Sequence, residues 1–134
     1  MNYRFLGKTL ITNMFEISFE HNINKVILHD GVFVTELSIL DANGMTISGI
    51  ERNIYGVSLS GEIVWRIPNP SMFFSIAEPG WDSIFYNCKH YSESTFSATT
   101  PGELECIFDY RTGTLLGCRR LRFGMPYSDE FIKI

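Results

Sequence analysis

The stretch Asn53-Ile54-Tyr55-Gly56-Val57-Ser58-Leu59-Ser60-Gly61-Glu62-Ile63-Val64-Trp65-Arg66-Ile67 decides the fold, because the chain carries its rhyme further on. The second copy is Leu104-Glu105-Cys106-Ile107-Phe108-Asp109-Tyr110-Arg111-Thr112-Gly113-Thr114-Leu115-Leu116-Gly117. Each block reads as strand, tight glycine turn, strand. Gly61 and Gly113 align at an offset of 52 residues. Self-similarity at such a period marks a repeated supersecondary unit.

The rest of the chain carries the same two-residue alternation. Phe15, Ile17 and Phe19 share one face, and Glu16, Ser18 and Glu20 the other, the pattern of a half-buried strand. Val26 and Leu28 lead into Asp30-Gly31, a strong two-residue hairpin signal. Val32–Ile39 follows as a strand, Asp41-Ala42-Asn43-Gly44 as a turn, and Met45–Ile50 as a short extended piece. Pro68-Asn69-Pro70 ends the strand that contains Trp65, since proline cannot donate to a ladder. Met72–Ala77 is an apolar run, Glu78-Pro79-Gly80-Trp81 a turn, and Ser92–Thr100 either a loop or an edge strand. Asn13-Met14-Phe15-Glu16 has capping-box spacing, but the alternation that follows opposes a helix. The expectation is one all-β domain over residues 1–134. It has eight to ten short antiparallel strands and little helix, arranged as a sandwich or an open propeller-like meander. Residues 124–134 are expected as a loose tail or a short helical turn.

The two rhyming blocks resemble blade fragments of quinoprotein-like and WD-like propellers. Gly61-Glu62-Ile63-Val64-Trp65 is similar to the strand that ends such a repeat, and Asp109-Tyr110-Arg111-Thr112-Gly113-Thr114-Leu115-Leu116 to its turn. A closed propeller needs at least about four blades, and 134 residues hold two units and part of a third. The resemblance therefore implies blade-like sheets, not a closed ring. It transfers no cofactor site, and Gly117 stands where a second Trp would be.

The net charge of −4 argues against a general nucleic-acid binder, because phosphate neutralisation needs clustered Lys and Arg. The acidity is concentrated. Between Pro70 and Tyr110 stand Glu78, Asp82, Glu93, Glu103, Glu105 and Asp109 against the single Lys89. This stretch is either an acidic docking surface for a basic partner or a sheet face. In the second reading Glu103 and Glu105 pair across a hairpin with Arg119, Arg120 or Arg122. Cys88, Cys106 and Cys118 form no C-x-x-C, which disfavours a disulfide scaffold and suits a reducing cytosol. With no signal-peptide pattern at the N-terminus and no apolar run of membrane-spanning length, the expected location is cytoplasmic.

Chemistry-bearing constellations are sparse. The serines of Gly56–Gly61 do not form the G-x-S-x-G elbow, and read as hairpin residues. Cys88 and His90 share a strand face, but Cys88 continues the apolar row of Ile84 and Tyr86 and reads as a core thiol. His21, His29 and His90 have no metal-ligand spacing. No catalytic residue, metal or cofactor is therefore assigned. The best binding candidate is Glu78-Pro79-Gly80-Trp81-Asp82 with Tyr86, His90 and Tyr91, joined by Glu93, Glu103 and Glu105. An aromatic anchor ringed by polar groups suits a protein-binding hot spot. Against it stands Trp81 folded back as a lid on the core.

In size, acidity and aromatic-rich β character the chain resembles bacterial immunity proteins, including those of contact-dependent growth inhibition. That resemblance is one of type. It implies a non-enzymatic cytosolic antidote that covers the active site of a cognate, basic, nuclease-type toxin. It implies no nucleic-acid or membrane partner. The alternatives are a carbohydrate or small-ligand module stacking on Trp81, Tyr86 and Tyr91, a small hydrolase using Cys88 and His90, and a subunit whose blades close by symmetry.

Overall fold

All six residues of the strand Val32–Leu37 are buried, on both faces. Alternation sends Val32, Val34 and Glu36 to one side and Phe33, Thr35 and Leu37 to the other, so layers must lie both above and below this strand. The computed structural model describes residues 2–122, 124–126 and 130–133, and builds that arrangement.

The first layer is a three-stranded antiparallel sheet of β1 (Tyr3–Leu6), β2 (Thr9–Thr12) and β3 (Glu16–Ser18). The middle layer is a four-stranded meander of β4 (Ile23–His29), β5 (Val32–Leu37), β6 (Ile54–Ser58) and β7 (Ile63–Arg66). The third runs through β8 (Tyr86–His90), β9 (Thr95–Thr99), β10 (Leu104–Asp109) and β11 (Leu115–Arg122). The short β12 (Met125–Pro126) and β13 (Ile132–Lys133) both add to β11. One 3-10 turn, Pro70–Met72, is the sole helical element among the described residues.

The all-β reading holds, and the rhyme has a structural meaning. The two blocks form the last two strands of two successive four-stranded meanders, β4–β7 and β8–β11. Each turn glycine takes a positive φ, 90° at Gly61 and 69° at Gly113, where glycine pays no Cβ penalty. The Asp30-Gly31 turn joins β4 to β5 with φ of 51° and 76°, the left-handed pair of a two-residue hairpin. Three expectations are corrected in detail. Ser92–Thr100 supplies β9, an interior strand between β8 and β10, because its Thr and Ser hydroxyls pack within the sheet. Residues 45–50 form a loop with one bridge, Leu40 to Thr46, not an extended strand. The stretch from residue 124 pairs with β11 in its described parts.

Two apolar cores follow from the layering. Phe33, Leu37 and Val57 from the middle layer meet Leu10, with Phe15, Ile17 and Phe19 packed alongside. The larger core joins the two meanders: Val32, Val34, Ile54, Trp65 and Ile67 face Cys88, Phe96, Ala98, Cys106, Phe108, Leu115 and Cys118. Trp65 stacks on Phe96 at 5.6 Å between ring centroids and donates its indole N–H to the carbonyl of Tyr110 at 2.8 Å. Gly56 and Gly113 make room for it. A Cβ on Gly113 would sit 2.6 Å from the Trp65 ring, and one on Gly56 would overlap the ring as well.

Two consequences can be measured. Gly56→Ala should lower stability by about 1–3 kcal/mol, the range for overpacking a filled core, and Trp65→Ala by about 3–5 kcal/mol. Urea unfolding checks both. The second concerns alkaline pH. Burial raises Cys118 from its ordinary 9.0 to about 11. Burial, then the neighbouring Cys88, raises Tyr110 from 10.0 to about 12. The unfolded chain releases these protons at lower pH than the fold does, so it binds fewer protons in that range. Stability should be level below pH 9.0 and fall as pH rises towards 11. Burial also raises Cys88 and Cys106 from 9.0, so Cys118→Ala should make the fall shallower without abolishing it in urea midpoints taken across the range.

Candidate functional site

The two meanders are joined by the long crossover from Pro68 to Phe85. Structureless connections of this length are uncommon in compact domains and are often functional. Phe74 and Ala77 anchor it in the main core. Asn69 caps the 3-10 turn by accepting from the backbone N–H of Ser71. Between these anchors Met72, Phe73, Ile76 and Trp81 point outward, with Met72 78% and Trp81 66% exposed. Trp81 is therefore not a lid on the core. Its ring borders a groove of about 450 Å³ with Thr46, Pro79, Gly80, Ile84 and Pro101. Phe73 borders a second groove of about 560 Å³ with Arg66, Pro68 and Leu115.

A buried carboxylate fixes this display. Asp82, 1% exposed, accepts from the backbone N–H of Glu78 at 2.7 Å and from the Thr100 hydroxyl at 2.5 Å. Arg120 stands 3.8 Å from the same carboxylate and donates to the carbonyls of Gly102 and Ile76. Gly102 is required beneath it, because a Cβ there would lie 2.5 Å from Asp82 Oδ1. The loop is thus tied by charge to β11 and to the β9–β10 turn.

The nine residues expected to form one partner surface are separated. Glu78, Trp81 and Asp82 lie at one end of the sheet, near the β9–β10 turn that holds Glu103. His90, Tyr91 and Glu93 lie at the other end, around the β8–β9 turn. Two of the nine are corrected outright as partner contacts. Asp82 is buried under the loop it organises. Glu105, 5% exposed, pairs with Arg119 at 2.7 Å, its register partner across β10 and β11. Glu103 accepts from the Gly124 amide at 3.1 Å. Asp109 caps its turn by accepting from the amides of Arg111 and Thr112. Glu78, Glu93 and Tyr86 remain at the surface. Much of the acidic stretch is internal wiring, as the paired-face alternative anticipates for Glu105.

His90 belongs to a second cluster, at the far end of the sheets. Its Nδ1 lies 2.7 Å from the Tyr110 hydroxyl. Its ring is 4.6 Å from that of His29, whose Nε2 contacts the Glu93 carbonyl at 2.6 Å. Arg111 forks onto Asp30 at 2.8 and 3.1 Å, and its hydrogen bond holds the Asp30 carboxyl below its usual range. The cluster borders a groove of about 550 Å³ with Asp30, Glu93, Ser94, Asp109 and Arg111. These contacts tie the end of β4 to the β8–β11 meander. Cys88 is fully buried, and burial followed by the charge of Glu36 pushes its thiol far up. Cys88 and His90 are therefore not a thiolate–imidazole pair.

Met72, Phe73 and Ile76 were missed as surface candidates. Their signal is the apolar run after Pro70 that follows no strand alternation. Fold and site together define a three-layer all-β protein that displays apolar side chains on a pinned crossover. Residues 1–117 match the DUF7957 family, described as a domain of unknown function, and the chain belongs to that family. No curated protein and no solved structure matches it.

Asp82→Ala leaves the Glu78 amide and the Thr100 hydroxyl without their acceptor and Arg120 without its counter-charge. A loss of about 3 kcal/mol is expected, together with new proteolytic cleavage between residues 71 and 81. Limited proteolysis and urea melts check both.

Proposed function

We propose that this chain is a non-enzymatic binding protein that docks a partner protein through the Pro68–Phe85 crossover, with Trp81 as anchor. The exposure of Trp81 on a loop pinned by Asp82 carries the reading. A large, rigid aromatic held in place before binding lowers the ordering cost of association, and Trp is the residue type most enriched at hot spots. The same crossover also exposes Met72, Phe73 and Ile76, apolar surface that a docked partner would cover.

The particular partner we propose is a basic toxin domain, neutralised by covering its active site in the manner of a cytosolic immunity protein. The net charge of −4 and the surface carboxylate of Glu78 on the crossover support attraction to a cationic surface. The carbohydrate alternative needs Trp81, Tyr86 and Tyr91 on one platform. Tyr86 and Tyr91 bracket β8, roughly 15 Å apart at strand rise, and Tyr86 borders a different pocket from Trp81.

The test is co-purification with a basic toxin domain, sought among the products of neighbouring genes, in low and high salt. Trp81→Ala should change stability by less than about 0.5 kcal/mol and weaken the complex by about 2 kcal/mol or more. A complex with unchanged affinity in Trp81→Ala removes the crossover as the docking site. Failure to bind the toxin at any ionic strength removes the antidote reading.

A further inference from the structure

The inward row of β5 reads Val32, Val34, Glu36, and its third member is a carboxylate where the core pattern calls for a third valine. Glu36 is 1% exposed. Its Oε1 accepts from the backbone N–H of Cys88 at 2.8 Å and its Oε2 from the Asn24 side-chain amide at 2.7 Å. Among the described residues no Lys, Arg or His forms an ion pair with it within 4.0 Å. Lys25, its cross-strand neighbour, pulls the Cys88 thiol down while Glu36 pushes it up, yet makes no such pair. Buried glutamates are almost always paired, and a buried charge without a counter-charge is costly. The Cys88 thiol is hydrogen-bonded to Glu36 as well. A carboxylate offers about four acceptor positions, so these three contacts still leave acceptor capacity.

Though buried, Glu36 lines a pocket of about 260 Å³ whose other walls are Asn24, Leu37, Ile39, Leu40, Phe85 and Tyr86, with Ser38 beside them. Aliphatic and aromatic walls above a buried carboxylate suit a cation carried on an alkyl stem: the stem packs on Ile39 and Leu40, the charge meets Glu36, and the Tyr86 ring lies at the mouth. We propose that this pocket receives an ammonium or guanidinium group, delivered as the side chain of a lysine or arginine on the bound protein. The proposal rests on the protein-docking reading above and names the basic chemistry that the docked partner would present.

The test uses the whole chain, isotope-labelled, and small probes at constant ionic strength. The backbone amide of Cys88 and the side-chain amide of Asn24 are followed by NMR. n-Butylammonium and butylguanidinium should shift both signals saturably, with dissociation constants on the order of 1–10 mM, as for a fragment of this size. Uncharged 1-butanol should bind at least about tenfold more weakly. Glu36→Gln should abolish the preference for the cation, and Lys25→Met should tighten it by removing a like charge. Should Glu36→Gln fail to fold, the cation-against-butanol comparison on the unaltered chain decides alone. Equal shifts from butanol and butylammonium, or no saturable shift, overturn the proposal.

A blocked glycyl-lysyl-glycine peptide separates the sources. Binding at least as tight as butylammonium supports delivery by a side chain, and binding of the free amine alone overturns that assignment. No partner protein enters these titrations, so their failure leaves the Trp81 docking test standing, and failure of toxin binding leaves the pocket test standing.

Discussion

The indole of Trp65 is the joint on which the two meanders close. It stacks on the opposing sheet through Phe96, hydrogen-bonds to it through the Tyr110 carbonyl, and lies against a glycine of each meander, Gly56 and Gly113. The rhyme between the two hairpins is thus more than shared turn chemistry. The turn glycine of the second hairpin is the clearance that the tryptophan of the first requires. Interiors are packed like crystals, without room for an added methyl. The spacing of the meanders, and with it the path of the crossover between them, is set at this contact.

Polar groups then fix what packing alone leaves loose. Asn53 is buried and bridges the meanders, donating to the carbonyls of Leu37 and Phe85 and accepting from the Phe85 amide. That bridge anchors the end of the crossover, while Asn69, Phe74, Ala77 and Asp82 hold its length. Directional bonds of this kind select one arrangement where apolar contacts would tolerate several. The result is a loop that is stiff in its backbone and apolar at its surface, a combination suited to presenting an anchor without a large ordering cost.

The alternation of Phe15, Ile17 and Phe19, the Asp30-Gly31 turn and the two glycine hairpins were legible in the sequence, because each is a local signal. The β9 strand was harder to read. Its Thr and Ser residues look like a loop until two neighbouring strands bury them. The acidic stretch misled for a related reason. Whether a carboxylate faces solvent or an arginine is decided by register, and Arg119 comes opposite Glu105 only once β10 and β11 have paired. Asp82 sits in a turn sequence that looks exposed, and its partners Thr100 and Arg120 come from two distant segments. Trp81 was legible as a candidate but not as exposed. Glu36 had a signal that went unread, a charge in the third place of a valine row.

The account turns on the crossover being ordered before a partner arrives and being the surface that meets it. Hydrogen–deuterium exchange of the free chain and of its complex with the proposed partner domain tests both at once. The account predicts slow exchange at the Glu78 and Asp82 amides in the free chain, since the first donates to the Asp82 carboxylate and the second to the Glu78 carbonyl. It predicts added protection in the complex centred on residues 72–81. Rapid exchange at those two amides in the free chain, or protection in the complex confined to the far end around His29 and Glu93, would contradict it.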